Sequence, residues 1–359
     1  MSYDTQKAEA FGDRMVDVLN QGALSLMVSV GHRTGLFDWL DTLSPATSTE
    51  IARESGLDER YVREGLGALV TGGVVDYDSE TGRYTLPPEH ADLLTRRAAE
   101  NVAVFAQYIP LLGAVEDDIV ACFQRGGGVP YARYPRFHAV MAEDSGQTVL
   151  SSLIDHILPL APGLPERLAV GSRVLDVGCG SGRALNLLAA TYPNSRFQGF
   201  DLSGEAVAIG QREAQERGLE NVRFAVRDLS QFDVEAEPEA FDLVTTFDAV
   251  HDQARPLSVL RGIHRTLKRD GVYLMQDIHG HSEVHHNRDH PLGTLLYTIS
   301  CMHCMTVSLA QGGEGLGAMW GREQASRYLE EAGFQSVSIH RLDHDIQNDY
   351  YVIRKEAAH

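Results

Sequence analysis

The sequence predicts an α/β fold with a largely parallel sheet in its C-terminal half, preceded by a mostly helical domain that contains one hairpin. Three observations predict this fold. From Gly171 onward, apolar strand-like runs alternate with helical patterns, which is typical of parallel strands joined by crossover helices. A glycine-rich turn follows the first of these runs, and two short helices with a hairpin precede them. The 359 residues suffice for two domains with separate cores.

The composition is that of a soluble globular protein, with 43% hydrophobic and 23% charged residues. Acidic residues outnumber basic ones by 50 to 31, and the net charge is −19. Such a field repels phosphates and anionic lipid, so we expect neither nucleic acid nor a membrane surface as the main partner. Four cysteines are too few for a disulfide framework, and no secretory signal is visible at the N-terminus. We therefore expect a cytoplasmic, reduced protein.

The N-terminal region predicts a winged helix. Ser48 or Thr47 can cap a short helix, and Glu50 can close a capping box with Thr47. A tight turn leads to a second helix over residues 59–71, and two glycines end it. Residues 74–86 are then predicted to form a short β-hairpin around a polar turn. Two helices, a tight turn and a hairpin make a winged helix.

Two longer stretches are predicted to be helical: residues 10–40, and residues 90–165 with a break at Gly126–Gly128. The second stretch is interpreted as a connector. A third segment, Leu292 to Ala310, has the length of a membrane span and carries no Asp, Glu, Lys or Arg. Because it contains several Thr, Ser and His residues, we expect a buried or half-buried helix there instead.

The C-terminal half predicts seven strands. They are expected at Val174–Val177, Phe197–Phe200, Val222–Val226, Leu243–Phe247, Val272–Met275, Val337–His340 and Tyr350–Ile353. Residues 278–317 interrupt this pattern, and we interpret them as an inserted lid or substrate segment.

A glycine motif follows the first strand and carries the strongest functional signal. It reads Val174-Leu-Asp-Val-Gly-Cys-Gly-Ser-Gly182. Glycine lets the backbone approach a ligand and adopt positive φ, and the helix beyond presents free N–H groups. Asp176 either touches the ligand or orients the loop, and both readings stay open.

Two acidic residues end the next two strands. Asp201 can accept both ribose hydroxyls of an adenosyl ligand, as carboxylates do in dinucleotide folds. Asp228 can receive the adenine amino group, and Leu229 can pack on the ring. The glycine loop and these two carboxylates predict an adenosyl-binding site along one edge of the sheet.

These motifs resemble those of class I S-adenosylmethionine (SAM) dependent methyltransferases. The resemblance covers about residues 170–277 and includes Phe241–Asp248 and Leu267–Gly271. It implies a Rossmann-like domain of seven strands over residues 169–359, the last strand antiparallel to the rest. It also implies SAM as cofactor and S-adenosylhomocysteine as product. The cofactor-binding residues that it implies are Asp176, Gly178, Gly180, Gly182, Asp201, Leu202, Asp228, Leu229, Phe247 and Asp248.

The winged helix and connector extend the resemblance to bacterial winged-helix methyltransferases and, more distantly, to plant and polyketide O-methyltransferases. It implies that residues 1–110 form a dimerisation domain, that residues 111–168 connect it to the catalytic domain, and that the substrate is a small molecule. The segment around Phe137 and Met141 resembles the helix that lies over the methionine end of SAM in those enzymes.

His251 is the predicted general base of an O-methylation, with Asp252 as an electrostatic neighbour. It follows the fourth strand of the sheet, at the edge where open α/β sheets bind ligands. An imidazole titrates near neutral pH and is suited to remove a hydroxyl proton. The pair resembles the His-Asp of plant O-methyltransferases, which continue with Trp where this chain has Gln253. A structural or substrate-orienting role for His251 is the alternative.

The segment after the fifth strand is rich in histidine: six of the 15 histidines lie between residues 279 and 303. Imidazole and thiolate favour zinc, yet the spacing matches no closed zinc motif, so no metal is predicted. His279, His281 and Trp320 are predicted substrate contacts. The glycine-rich loop over residues 311–320 is either a closing loop or a plain connection.

Two other functions compete. A ligand-sensing DNA-binding regulator would use the winged helix, but residues 36–100 contain 13 acidic and 6 basic residues, and DNA-reading helices need a basic face. A sulfur, nitrogen or carbon acceptor, or another SAM-using reaction, is the second alternative. The sequence does not name the acceptor.

Overall fold

A computed structural model of the chain describes residues 3–98 and 100–355. The chain divides into two compact units, Met1–Gly113 and Ala114–His359. The boundary lies three residues beyond the predicted end of the first domain. Most of the predicted connector belongs to the second unit, because its apolar side chains, such as Leu153 and Leu158, share a core with the sheet residue Val174.

The first unit contains seven helices and one hairpin among its described residues. The helices are α1 (Thr5–Thr34), α2 (Leu36–Thr42), α3 (Ser48–Ser55), α4 (Glu59–Thr71), α5 (Pro88–Leu94), α6 (Ala103–Ala106) and α7 (Tyr108–Gly113). The antiparallel strands are β1 (Asp76–Asp78) and β2 (Arg83–Thr85). This arrangement confirms the winged helix.

Local hydrogen bonds explain where the winged-helix elements begin. Thr47 caps α3, and its side chain and that of Glu50 form the predicted capping box, with Thr47 N–H donating to the Glu50 carboxylate at 2.8 Å. The hairpin starts later than predicted because the N–H of Val74 donates to the carbonyl of Leu69 at 2.8 Å and closes the end of α4. Val74 is therefore part of a helix terminus, not of a strand.

The helix predicted over residues 10–40 is two helices in the structure. Gly35 has φ = 72° and ends α1 in the left-handed conformation, so α2 starts in a new direction. The buried residues of α1 lie near its C-terminal end. Its exposed large apolar side chains are Phe11, Met15, Val16, Val18, Leu19, Leu26 and Val30.

The second unit is an α/β domain. Its helices are α8 (Glu116–Arg125), α9 (Phe137–Ser145), α10 (Leu164–Val170), α11 (Arg183–Thr191), α12 (Gly204–Glu216), α13 (Phe232–Glu235), α14 (Pro256–Thr266), α15 (Gly293–Ile299), α16 (Met305–Ala310) and α17 (Gly321–Glu331). Its strands are β3 (Arg173–Val177), β4 (Arg196–Asp201), β5 (Val222–Val226), β6 (Phe241–Phe247), β7 (Leu267–Ile278), β8 (Ser336–His340) and β9 (Asn348–Arg354). π-helical turns cover Gly146–Leu150, Leu153–Ile157 and Ser300–Cys304.

The seven strands form one sheet in the order β5-β4-β3-β6-β7-β9-β8. Strands β3 to β7 pair in parallel, whereas β9 is antiparallel to both β7 and β8. The predicted Rossmann-like sheet is thus confirmed, including its antiparallel last strand. Chain order reverses between β3 and β6, and in such sheets the crevice beyond the carboxyl ends of the strands at this point holds the ligand.

The apolar stretch Gly293–Ala310 is helical and long enough to cross a membrane by length and composition alone. Its contacts are those of a helix in a folded domain. The Tyr134 hydroxyl donates to the carbonyl of Met302 at 2.5 Å, and the Thr306 hydroxyl accepts from the N–H of Val129 at 2.8 Å. The stretch therefore packs within the second unit, as expected for a buried or half-buried helix.

Candidate active site

The glycine loop after β3 is held in a left-handed backbone conformation. Gly178, Gly180 and Gly182 have φ of 75°, 52° and 70°. A Cβ atom on Gly182 would lie 2.3 Å from the Phe224 ring, and one on Gly178 would lie 2.5 Å from the Cβ of Ala249. A Cβ on Gly180 would meet no heavy atom within 4 Å. Two glycines are thus required by packing, and Gly180 faces open space.

Asp201 joins the end of β4 to the glycine loop. One oxygen of its carboxylate accepts from the N–H of Gly180 at 2.8 Å, and the other accepts from the N–H of Ser203 at 2.8 Å. A carboxylate has about four lone-pair positions. Each oxygen of the half-buried Asp201 therefore keeps the capacity to accept a ligand hydroxyl.

Asp228 and two leucines near this edge of the sheet differ in exposure. Asp228 accepts from the N–H of Ser230 at 2.9 Å and remains exposed. Leu229, predicted to pack on an adenine ring, is buried in the core below the sheet. Leu202 is 54% exposed. Leu202, not Leu229, therefore presents an apolar surface beside Asp201.

Asp176 lies inside the sheet. The Thr245 hydroxyl donates to its carboxylate at 2.8 Å, and this bond joins β3 to β6. Burial raises the pKa of Asp176 to about 7, although the Thr245 bond acts in the opposite direction. Of the two roles open for Asp176, this geometry supports positioning of the loop.

Phe247 ends β6 and Asp248 follows it at the same edge of the sheet. Phe247 packs against the core, and Asp248 has φ = 48°, a conformation that non-glycine residues adopt at an energetic cost and often at functional sites. Gln276 donates to the Asp248 carboxylate at 3.1 Å. Burial and the charge of Asp277 raise the pKa of Asp248 well above its usual range.

His251 forms a buried dyad with Asp277, the penultimate residue of β7. The Nδ1 atom of His251 lies 2.8 Å from Asp277 Oδ1, and the two side chains are 4% and 1% exposed. The same oxygen accepts from the Trp320 indole N–H at 3.0 Å and from the N–H of Ile278 at 2.9 Å. Trp320, predicted to contact substrate, instead packs in the core and positions the dyad.

The dyad makes His251 more basic than an ordinary imidazole. Burial lowers the pKa of His251, but the carboxylate of Asp277 and, to a smaller extent, the Cys304 thiol together outweigh burial and hold the pKa well above its usual value. Because Asp277 takes Nδ1, Nε2 is the nitrogen that remains to accept a proton.

Asp252 was predicted as an electrostatic neighbour of His251, and the charge of His251 does act on Asp252 by lowering its pKa, against the larger opposing effect of burial. Burial and the nearby carboxylate of Asp252 raise the pKa of the Tyr131 phenol, and burial raises the pKa of Asp252 itself to about 6. The carboxylate that hydrogen-bonds to His251 is nevertheless that of Asp277 and not that of Asp252. Asp277 lies near the end of β7, the strand next to β6, so the strand order places it at the same sheet edge as His251.

Aromatic side chains form a cluster beside the dyad. Phe137 stacks on His303 with ring centroids 3.7 Å apart, and Tyr131 and Tyr134 meet His303 edge-on at 5.1 and 4.7 Å. Met141 lies one turn beyond Phe137 on α9. The structure brings the predicted Phe137 to this cluster, together with three aromatic residues that sequence patterns did not select.

The other predicted substrate histidines have local partners. His279 lies 3.0 Å from the buried Asp349 and its second nitrogen lies 3.1 Å from an Arg341 nitrogen. His281 lies 2.6 Å from the Glu323 carboxylate. These bonds give both histidines partners within the protein, and the substrate contacts predicted for His279 and His281 stay predictions.

The glycine-rich loop over residues 311–320 is fixed by hydrogen bonds in this structure. The N–H of Gly313 donates to the carbonyl of Ser308 at 2.9 Å, and that of Glu314 donates to the carbonyl of Ala254 at 3.1 Å. These contacts fit a connection between helices. Closure over substrate stays a prediction.

One group of side chains in the described part of the chain could hold a metal ion. Single donor atoms of Asp248, His251 and Asp277 lie within 4.8 Å of one another. This group lies outside the histidine-rich segment considered from the sequence. The Nδ1 atom of His251 is already hydrogen-bonded to Asp277 in this structure.

Comparison with known proteins identifies both units. Residues 22–96 match the Rv2258c-like winged HTH domain, and residues 168–343 match a methyltransferase domain family. The second unit is a class I SAM-dependent methyltransferase domain. Its cofactor is SAM, and the first unit carries the winged helix of such enzymes. The half-buried carboxylate of Asp201 and the open space at Gly180 fit an adenosyl ligand.

The relatives agree in fold. The ubiquinone biosynthesis O-methyltransferase of Actinobacillus pleuropneumoniae serotype 7 is 30% identical over 127 residues, which are 35% of this chain and 51% of that protein. The chain thus spans about half the length of the curated relatives it matches. Human N-acetylserotonin methyltransferase in complex with SAM has TM-score 0.69 at 19% identity, with 99% of both chains covered. The mitomycin 7-O-methyltransferase MmcR has TM-score 0.64 at 18% identity, with coverage of 98% and 100%.

Proposed function

We propose that this methyltransferase transfers the methyl group of SAM to a hydroxyl group of a small molecule, with His251 as the general base. The observation that carries the proposal is the buried pair of His251 and Asp277, 2.8 Å apart at the ligand edge of the sheet. A carboxylate that holds one imidazole nitrogen leaves the other free to remove a proton.

In this proposal each residue has one task. His251 Nε2 accepts the proton of the acceptor hydroxyl, and the charge of Asp277 stabilises the imidazolium that forms. Trp320 and the N–H of Ile278 hold the same Asp277 oxygen and so fix the orientation of the pair. When bound, SAM would supply an electrophilic methyl group. Asp201 and the glycine loop would hold the adenosyl part of SAM.

An oxygen acceptor fits this pair better than the alternatives. A hydroxyl stays protonated at neutral pH and gains from a base, whereas a thiol ionises more readily and needs less help. The ubiquinone biosynthesis relative and the mitomycin enzyme are both named as O-methyltransferases, which supports the same choice.

The test begins with a screen of phenols, thiols and amines for methyl transfer by mass spectrometry. His251→Ala is then expected to lower turnover on the best substrate by ~10²–10⁴, the usual worth of general base catalysis. SAM affinity, measured by calorimetry, should change little because the adenosyl contacts lie on other strands.

A matched control is His279→Ala, which also removes a histidine from a carboxylate partner. It is expected to keep near wild-type turnover. Near wild-type turnover in His251→Ala, or a loss in His279→Ala alone, would show that His251 is not the base.

We propose further that the winged helix serves dimerisation and does not read DNA. The arginines of α4 are paired with acidic residues of the same helix: Arg60 with Glu64, and Arg63 with Glu59 at 3.4 Å. Such pairs leave no basic face for a phosphate backbone. All four cysteines are free thiols, which supports the proposal of a reducing, cytoplasmic location.

A further inference from the structure

The helical run from Gly293 to Ala310 changes its winding where it faces the dyad. It is α-helical to Ile299, π-helical over Ser300–Cys304, and α-helical again afterwards. π-helical turns are rare and often occur at functional sites, because the extra residue redirects side chains. Cys304, at the end of this turn, lies close enough to His251 for each group to shift the pKa of the other. The turn therefore lies beside the proposed base.

His303, on the same turn, is a buried polar side chain without a hydrogen bond to any described residue. It is 1% exposed, and both Nδ1 and Nε2 lack a partner. Its contacts are aromatic: one ring face lies on Phe137, and Tyr131 and Tyr134 approach edge-on. Buried polar atoms in native proteins are almost always satisfied, so two orphan nitrogens on one ring point to a ligand partner.

The protonation state of His303 defines what it can bind. Burial, and the nearby positive charge on His251 and His138, lower the pKa of His303 to about 3. The ring is therefore neutral and offers one N–H donor and one acceptor nitrogen. A hydroxyl group, which both donates and accepts, is complementary to either nitrogen.

We propose that His303 is a specificity-determining residue that binds a second hydroxyl group of a planar aromatic acceptor. The proposal rests on the proposed function, since His251 takes the hydroxyl that is methylated. The aromatic walls of Tyr131 and Phe137 favour a flat ring between the two histidines. The substrate class is thus a dihydroxylated aromatic compound, not a simple phenol.

The test measures binding of matched aromatic pairs to the full-length protein saturated with S-adenosylhomocysteine. The probes are phenol against catechol and resorcinol, and 2-naphthol against 2,3- and 2,7-dihydroxynaphthalene, titrated by calorimetry. Wild type is expected to favour the dihydroxy member of at least one pair by about tenfold or more, since a site built for a hydroxyl rejects the analogue without it. His303→Phe should reduce that preference to less than about threefold.

Two variants separate hydrogen bonding from packing. His303→Gln keeps a donor and an acceptor and should retain part of the preference. His138→Phe makes the same change at a histidine that stacks on Tyr131 at 5.5 Å, and it should retain all of it. If His303→Phe does not fold, nitrogen NMR of the wild-type imidazole reports on the same contact, because a dihydroxy ligand should shift the His303 ring resonances.

The outcomes separate this proposal from the function it rests on. Absence of a preference in every pair, including absence of binding, or a preference kept by His303→Phe, overturns the role of His303. Methyl transfer by wild type is followed in parallel by mass spectrometry. A preference that depends on His303 without any methylated product would support the anchor and sink the O-methylation proposal.

Discussion

At the scale of single residues, the chemistry of this sheet edge depends on which carboxylate faces His251. Asp252 is adjacent in sequence, but Asp277 is adjacent in space and lies 2.8 Å from the imidazole. Asp277 is also held by Trp320 and by a backbone N–H, so its position is fixed before any ligand binds. A preorganised carboxylate stabilises an imidazolium without reorganisation at the moment of reaction.

We predict that Asp277→Asn lowers turnover and moves the acid limb of the pH–rate profile to lower pH. His251 must be neutral to accept a proton, so activity falls as pH drops below its pKa. Asp277 holds that pKa above the ordinary value, and removal of the charge leaves burial, which lowers it. A loss of up to ~10⁴ is expected, the effect of the analogous change in a serine protease triad.

The measurement is kcat/KM against pH for wild type and variant. Asp349→Asn, which removes the carboxylate partner of His279, is the matched control and should leave the acid limb in place. An acid limb that stays fixed in Asp277→Asn would mean that another group controls it.

We predict that removal of divalent metal ions leaves methyl transfer unchanged. The one described group that could hold an ion includes His251, whose Nδ1 is bonded to Asp277. Metal binding through that nitrogen would break the dyad on which the proposed base depends. Turnover after EDTA treatment and gel filtration tests this, and a loss that Mg²⁺, Mn²⁺ or Zn²⁺ restores would contradict it.

At the scale of elements, the glycine loop has two different requirements in one turn. Gly182 sits against the Phe224 ring because α11 must pack closely on the sheet. Gly180, two residues earlier in the loop, has no heavy atom within 4 Å of the position that a Cβ would take. Gly182 thus serves the packing of the fold and Gly180 leaves room for the cofactor, although both have positive φ.

We predict opposite phenotypes for the two alanine variants of this loop. Gly182→Ala should destabilise the domain through about 1–2 kcal/mol of left-handed strain and about 1–3 kcal/mol of overpacking. Gly180→Ala should lose only the stability that left-handed strain costs. Its methyl group should nevertheless weaken SAM binding ~10-fold or more, which is about 1.4 kcal/mol of binding free energy. Urea denaturation and SAM calorimetry measure the two effects, and equal losses of stability would refute the distinction.

At the scale of the whole molecule, α1 leaves an apolar face exposed. Phe11, Met15, Leu26 and Val30 recur at helical spacing along it, and each is more than 40% exposed. A Cβ on Gly22, in the middle of this face, would meet no atom within 4 Å. An apolar face of this length is typical of an association surface.

We predict that the chain is a dimer through this face of α1. The double variant Phe11→Asp with Leu19→Asp should sediment as a monomer at micromolar concentration, because two charges would be buried in the contact. Tyr61→Asp, at an 82% exposed residue of α4, is the control and should stay dimeric. A monomeric wild-type protein would contradict the prediction.

Most of the elements could be predicted because their signals are local. Strand β5 matches its predicted bounds, and the capping box placed the start of α3 correctly. Helix and strand boundaries differ from the prediction where a helix end was not recognised. These places are the left-handed Gly35 after α1 and the hydrogen bond of the Val74 N–H after α4. The cofactor edge was also predictable, since parallel strands bring their carboxyl ends together.

The sequence by itself determined the class of fold and the strand ends that face an adenosyl ligand, because hydrophobic periodicity and a glycine turn act over a few residues. The identity of the cofactor came from the resemblance of these motifs to those of SAM-dependent methyltransferases. Tertiary structure decided which partner each functional side chain has. His251 pairs with a residue 26 positions away, and His303 comes near His251 from a π-helical turn of an inserted segment. Such contacts depend on how the sheet closes and how helices pack on it, and no pattern within one element records them.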